Sequence, residues 1–400
     1  MSPRVRILTV ANHLGARGGL ERTQLTNCRA LAARGHRVDL VYVSAGDFAE
    51  EWEGFVGTMM RTEGTLPRRR HPVSSVASIL GALMAGRRAR PDVVYVYRYW
   101  DLPYAVALGL LARAPVVFHL CLPPPRVIPR WLTPFLRRVD RILSVSHDTA
   151  ARWAGTGLRA ERTSVVLTGI DLGRYVPATD EARSATRGSL GIADDAFVVL
   201  YAGRIGREKG VDVLVRAFAA VATEPESQLV VVGSPSLGSD PADSARYESE
   251  LRTLAEGLAV AWVPARHDVV SLIQAADVAV APSLWPEPLS RSVMEPLACG
   301  VPVVASAVGG NPEILTGWLS TYLVEPGDVA GLAERVVSLR RWRTRDPELG
   351  RRCRGDAEAR LSLDAEVHTI EAAMEKSTVD AAGHRRSRRW RTSSPSDATS

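Results

Sequence analysis

Two carboxylates, Glu287 and Glu295, stand with seven residues between them in the run DVAVAPSLWPEPLSRSVMEPLACGVPVVASAVGGNPEIL, residues 277–315. DVAVAPS reads as a buried strand, a short apolar run bounded by Pro and Ser. WPEPLS is a loop punctuated by two prolines. From about Ser292 the pattern predicts a helix that stops at Gly300. VPVVAS is the next strand, and GGNPEIL opens another helix behind two glycines. Glu287 is therefore expected on the loop and Glu295 in the first turn of the helix, with the backbone N–H groups of Leu289 to Ser292 between them. A helix start favours anions, and carboxylates beside it accept hydrogen bonds from hydroxyls. An anion site flanked by hydroxyl acceptors suits a nucleotide sugar. The bland alternative is a pair of acids that only complement the helix dipole.

A second chemical segment is Gly203-Arg204-Ile205-Gly206-Arg207-Glu208-Lys209-Gly210, between the strand VVLYA and the helix VDVLVRAF. Arg204 and Lys209 can oppose a phosphate, the first as a planar fork and the second as a mobile point charge. When a nucleoside diphosphate leaves, charge builds on its β-phosphate, and fixed cations there favour the transition state over the ground state. Lys209 and Lys376 are the only lysines in a chain that otherwise uses arginine. That choice suggests that an ammonium geometry is wanted; a basic surface turn is the competing reading. The segment is not a Walker A loop, because no Gly-Lys-Ser/Thr occurs.

The elements that must hold these groups alternate. VRILTV, a Gly loop, TQLTNCRALAARG and HRVDLVYVS read as strand, loop, helix and strand, and DVVYVYRY, PVVFHLC, RILSVSH and SVVLTGI continue the first half. AFVVLYAGRIG, LVVVG, VAWV, DVAVAPS and VPVVAS give a second set of strands with helices between. Such alternation predicts an α/β protein with two Rossmann-like, doubly wound parallel-sheet domains, whose strand ends would face a shared cleft. The expected divisions are residues 1–172, residues 173–360, a C-terminal helix at 361–377 that crosses back to the N-terminal domain, and a disordered basic tail at 378–400. The tail is rich in Arg, Ser and Thr with little large apolar content.

Residues 1–170 carry 24 Arg, no Lys and 12 acids, whereas the remainder carries 26 basic and 32 acidic residues. The basic half offers a surface to an anionic acceptor, an acidic membrane leaflet or nucleic acid; an Arg-rich compositional bias explains it as well. Pro123 to Arg141 mixes Arg with Trp131, Leu132, Phe135 and Leu136, as an interfacial helix or an ordinary amphipathic one. No charge-free run of membrane-spanning length occurs, and MSPRVRILTV lacks signal-peptide organisation, so a cytoplasmic protein is expected, with peripheral contact at the inner face of a membrane. Cys28, Cys121, Cys299 and Cys353 are far apart and form no metal-ligand pair.

The segment Glu287-Pro288-Leu289-Ser290, followed by Glu295-Pro296-Leu297-Ala298-Cys299-Gly300-Val301-Pro302-Val303-Val304-Ala305, resembles the donor site of retaining glycosyltransferases of the GT-B fold, in the family-four group. Leu289 replaces the usual aromatic, Ser290 the usual Gly, and Pro296 also departs. Gly203 to Gly210 is similar to the family's segment whose Arg and Lys hold the donor diphosphate. The resemblance implies sugar transfer from a nucleoside-diphosphate donor to an acceptor hydroxyl, with retention and without a metal or cofactor. It implies that Glu295 binds ribose hydroxyls, that Glu287 binds hydroxyls of the transferred sugar, and that the amides of Leu289 and Ser290 face the diphosphate. Gly18 and Gly19 let a loop approach donor phosphate. His119, at a strand end, sits near the transferred sugar in that family, although a lone His after an apolar strand is often structural. Thr168-Gly169-Ile170-Asp171 resembles the family's interdomain turn, and Val263 to Arg266 flank the base. A sugar-nucleotide epimerase of similar build and a non-enzymatic anion-binding protein are the alternatives; nucleic acid is disfavoured as a partner.

Overall fold

Runs such as VVYV and VAVA are β-branched and apolar throughout, which suits strands covered on both faces, as parallel sheets require. In the computed structural model, which describes residues 4–15, 18–67, 72–222, 226–235, 240–266 and 268–392, they are such strands. β1 (Arg6–His13), β2 (Arg37–Ser44), β3 (Thr58–Arg61), β4 (Val93–Val96), β5 (Val116–Leu120), β6 (Arg141–Ser144) and β7 (Thr163–Val165) form one parallel sheet, ordered β3-β2-β1-β4-β5-β6-β7. β8 (Phe197–Ala202), β9 (Ser227–Gly233), β10 (Val260–Pro264), β11 (Val278–Ala281), β12 (Val303–Ser306) and β13 (Leu323–Val324) form the other, ordered β10-β9-β8-β11-β12-β13. Each sheet grows outward from its first strand, then returns and grows the other way. The reversal lies between β1 and β4 in one sheet and between β8 and β11 in the other. Ligands of doubly wound sheets bind beyond the carboxyl strand ends at this reversal.

The chain divides into two compact units, Met1–Val145 with Thr149–Val166 and Glu366–Ser400, and Ser146–Asp148 with Leu167–Ala365. The first break precedes the expected residue 172 because Ile170 already belongs to the second unit. Its N–H donates to Leu361 O at 2.9 Å, and its carbonyl accepts from Leu363 N–H at 3.1 Å. These are the two-domain α/β units of the GT-B architecture anticipated from the alternation of strands and helices.

In the second unit the starts of β8 and β11 are pinned by a buried ion network. Asp277 Oδ2 accepts from Val198 N–H and from Arg187 Nη2, both at 2.8 Å, while Oδ1 accepts from Arg183 at 2.6 Å. Arg187 is wholly buried and also donates to the carbonyls of Ala275, Asp194 and Ala196. The wholly buried Arg187 is thus paired with a carboxylate and hydrogen-bonded to carbonyls, the condition under which burial of an ion is tolerated.

Two expectations are corrected. The C-terminal helix runs from Leu363 to Thr392, well past residue 377, so the segment from 378 continues as helix; residues 393–400 lie outside the described residues. Few large apolar groups argue against packing, but Ala and Arg, seven of the fifteen residues from 378 to 392, are good helix formers without it. The helix is anchored in the first unit by its own acids: Glu366 accepts from Asn27 at 2.8 Å, and Glu371 Oε1 accepts from His36 Nε2 at 2.8 Å. The stretch Pro123–Arg141 is not one amphipathic helix. It holds a single turn, Thr133–Leu136, in a proline-interrupted loop, with Leu132 and Leu136 buried. No described helix is long and apolar enough to cross a membrane.

Candidate active site

Three loops follow the strands at the reversal of the second unit, and two of them interlock. After β8, residues 203–210 end in one 3-10 turn, Arg207–Lys209, closed by Gly210. Gly210 has φ +64°, and a Cβ there would lie 2.1 Å from Pro282 O at the end of β11. Both the left-handed backbone and the close approach require glycine. The N–H groups of Leu284 and Trp285 then donate to Glu208 O at 2.9 and 3.2 Å. This docking brings Lys209 to Glu287: the ammonium Nζ bonds to Glu287 Oε1, which also accepts from Ser283 Oγ at 2.7 Å. Both charged side chains are largely buried, at 15% and 12% exposure. Arg204 is exposed on the same loop, its carbonyl accepting the Tyr201 hydroxyl.

The third loop clamps Glu287 from behind. Gly309 has φ +58°, and a Cβ there would lie 2.0 Å from Glu287 O; Gly310 N–H donates to that oxygen at 2.7 Å. The pair Gly309-Gly310, read from the sequence only as a helix start, is thus a seat for the catalytic-candidate loop.

The helix expected from Ser292 spans Arg291–Ala298 with Ser290 as its cap residue. Ser290 O accepts from Val293 and Met294, while its hydroxyl bonds Ser292 Oγ at 2.8 Å and caps nothing. The N–H groups of Leu289, Ser290 and Ser292 therefore have no acceptor among the described residues, as an anion-binding helix start needs. Glu295 is corrected to the second turn, and Pro296 lies inside the helix rather than at its start. Its missing N–H leaves Ser292 O without its helical donor. Glu295 Oε1 accepts from Arg291 Nε at 2.9 Å and from Tyr175 OH at 2.8 Å. Burial, then the nearby Glu295 charge, pushes the Tyr175 phenol up to about 12, so it remains a donor. Ser283, Tyr175 and Arg291 were missed from sequence. Only Arg291 had a local signal, its i,i+4 spacing to Glu295.

The remaining candidates lie in the first unit. Gly18 is extended, with φ 179°, and Gly19 opens the helix Gly19–Ala33. Nothing in Gly18's own backbone requires glycine. The first turn of that helix already carries Glu21, which is ion-paired with Arg98. A carboxylate in that position competes with phosphate for the helix start. His119 lies one residue before the end of β5, fully buried, with Nδ1 2.6 Å from Tyr95 OH. Tyr97 OH donates to Tyr95 O at 2.9 Å, so the Tyr95 proton goes to Nδ1 and His119 carries its own on Nε2, where no described group accepts it. Burial lowers the imidazole to about 3, which keeps it neutral.

Residues 182–355 match the family model described as Glycosyl transferases group 1, and residues 17–174 match Glycosyltransferase Family 4. A Corynebacterium glutamicum protein described as GDP-mannose-dependent monoacylated alpha-(1-6)-phosphatidylinositol monomannoside mannosyltransferase is 35% identical over 237 residues, 56% of this chain. The chain spans only 59% of that relative's length. D-inositol 3-phosphate glycosyltransferase 1 of Catenulispora acidiphila is 29% identical over 352 residues, covering 81% of this chain and 83% of the relative. Among solved structures, Anabaena Alr3699/HepE in complex with UDP and glucose superposes with a TM-score of 0.80 at 21% identity, covering 93% of this chain and 100% of that one.

Proposed function

We propose that this chain, whose two units are those of a GT-B glycosyltransferase, moves a sugar from a nucleoside diphosphate to an acceptor hydroxyl, with retention and without a metal ion. The observation that carries this reading is the Lys209–Glu287 pair at the reversal of the second sheet, beside helix-start N–H groups that lack acceptors among the described residues. The diphosphate takes those N–H groups and the charges of Arg204 and Lys209. As the glycosidic bond lengthens, negative charge grows on the β-phosphate. Cations already in place stabilise that charge without reorganising, and so supply what a divalent ion otherwise would.

Glu287, clamped through its backbone and sharing Oε1 with Lys209 and Ser283, accepts hydroxyls of the transferred sugar. Glu295, its Oε1 fixed by Arg291 and Tyr175, accepts the ribose hydroxyls through its other oxygen. His119 is neutral, so it acts as an Nε2–H donor to a hydroxyl and not as a base. That suits transfer on the leaving-group face, where the departing phosphate takes the acceptor proton. Relatives named for GDP-mannose and for inositol 3-phosphate support a hexose donor and a saccharide or polyol acceptor.

The test is nucleotide release from a panel of UDP- and GDP-sugars, with and without candidate acceptors, in chelator. Release is expected only with an acceptor, and NMR of the product should report the donor's anomeric configuration. Loss of all activity in chelator would remove metal independence. An epimerised sugar formed without acceptor would replace transfer by epimerisation.

A further inference from the structure

In the first unit the helix Pro72–Arg88 joins β3 to β4, and the helix Leu102–Ala112 joins β4 to β5. Both connections step in the same direction across the sheet, so right-handed crossovers place both helices on one face, running the same way. They touch closely: a Cβ at Gly86 would lie 3.1 Å from the side chain of Leu108.

The outward side of this helix pair is apolar. The first helix buries Ser75, Ala82 and Leu83 yet exposes Val73 at 82%, Val76 at 41%, Leu80 at 55% and Met84 at 42%. The spacings of three, four and four make one stripe, at positions where a water-facing helix carries polar groups. The neighbouring helix adds Leu110 at 63% exposure, and the flanking loops add Trp100 and Trp131, their rings 6.5 Å apart. Exposed apolar residues grouped on one helix in this way mark an interaction site.

The charge around the stripe is mostly positive, with Glu63 against Ser74 at the start of the helix and Asp140 beside Arg162 as the exposed acids at its margins. Residues 64–139 contain twelve Arg, two Asp, and no Glu or Lys. Asp92 is paired with Arg6 and Asp101 is fully buried, so neither acid offsets the exposed arginines. Beside Trp131, a cavity of about 540 Å³ is lined by Arg130, Thr133, Pro134, Arg137, Arg138 and Arg159. None of these four arginines forms an ion pair with a described residue. Guanidinium forks without carboxylates match phosphate oxygens.

We propose that this face docks on an anionic lipid surface. The stripe enters the boundary between headgroups and acyl chains, the tryptophans sit at headgroup level, and the arginine-lined cavity takes lipid phosphates. A second copy of the chain fits less well, because a two-fold interface sets each patch against itself and so arginine against arginine. Docking does not depend on sugar transfer, and its test reads binding alone.

The test is flotation of the full chain with vesicles of phosphatidylcholine alone and of an equimolar mixture with phosphatidylglycerol. Binding is expected only to the anionic vesicles, falling steeply at high salt. Arg137→Glu with Arg138→Glu should lower partition at least about tenfold. Val76→Ser with Leu80→Ser, on a separate element, should weaken it severalfold while leaving melting temperature unchanged. Equal flotation with neutral vesicles, or full binding by both double variants, would overturn the proposal. So would self-association that these substitutions abolish in a chain that binds no vesicle.

Discussion

The two units share one topology and place different chemistry at its reversal. In the second unit that point carries an ammonium bonded to a carboxylate, with an exposed guanidinium on the same loop and helix N–H groups without acceptors among the described residues. In the first unit the strand ends beside the reversal carry the Arg98–Glu21 ion pair and, starting at the neighbouring Tyr97, a buried neutral chain. Tyr97 and Tyr95 phenols are pushed well up by burial, and His119 is pushed down to about 3. Topology decides where a ligand goes; burial and pairing decide whether charge awaits it. A diphosphate that gains charge as it leaves belongs with the charged set. A group recognised through hydroxyls belongs with the neutral one.

The contrast can be broken first at its supports. Asp277 compensates the wholly buried Arg187 and also takes Val198 N–H. Asp277→Ala leaves a buried cation alone and should cost about 3–5 kcal/mol in urea denaturation. In the neutral chain, Tyr97→Phe removes one hydrogen bond between phenols and should cost only about 1 kcal/mol. Equal losses would show that the two reversals are held by the same physics after all.

Lys209 tests the charged end functionally. Lys209→Ala should lower turnover at saturating donor by roughly a hundredfold, the effect of removing one fixed donor to a developing oxyanion. Donor affinity should fall less. Lys209→Arg should not restore the rate, because a planar fork cannot take the ammonium's place against Glu287 and Ser283. Normal turnover in Lys209→Ala would return the Gly203–Gly210 loop to a basic surface turn.

Much of this arrangement was legible in the residues, and what was not has a common cause. The β-branched runs marked the strands because both faces of a parallel sheet are buried. Glu287, Glu295, Arg204 and Lys209 stood out by type and spacing. That Lys209 and Glu287 bond each other, 78 residues apart, was not legible, since it follows from β11 returning to lie beside β8. Ser283, Tyr175 and the clamp by Gly309 and Gly310 depend on the same adjacency. The helix through Thr392 was missed for the opposite reason. Its propensity is local, while the reading relied on packing.

The buried groups at the first unit's reversal should show themselves in the pH dependence of stability. Burial raises Asp101 from 3.8 to about 6, against the hydrogen bond from Thr65 and the charge of Arg98. The folded chain then holds a proton that the unfolded chain has lost, so this group's contribution to stability falls as pH rises from 3.8 to about 6. His119 acts with the opposite sign. Lowered from 6.5 to about 3, it stays neutral when the unfolded imidazole protonates, so its contribution is present above pH 6.5 and lost as pH falls toward 3. In the intact protein the two slopes offset each other between about pH 4 and 6. Asp101→Asn should therefore make stability rise more steeply with pH across that window, by roughly 2–3 kcal/mol in all. His119→Gln should tilt it the other way. Denaturation curves that stay parallel in all three proteins would mean that neither group is sequestered.

The smallest effects distinguish the two carboxylates within the charged reversal. Glu295 lies in the second turn of its helix, with Oε1 fixed by Arg291 and Tyr175, and has no link to Lys209. Glu295→Ala should weaken nucleotide binding by about 1–3 kcal/mol, the cost of a lost hydrogen bond to a hydroxyl. Tyr175→Phe, which keeps the carboxylate but loosens it, should cost less than that. Glu287 is the partner of Lys209, so Glu287→Ala should leave nucleotide affinity nearly intact and lower turnover, by a similar energy. Isothermal titration with nucleoside diphosphate, set beside steady-state kinetics, separates the two. If Glu287→Ala weakens nucleotide binding and Glu295→Ala lowers only turnover, the sugar and ribose ends of the site are exchanged. If neither quantity moves in either variant, the helix start at Leu289–Ser292 does not hold the donor.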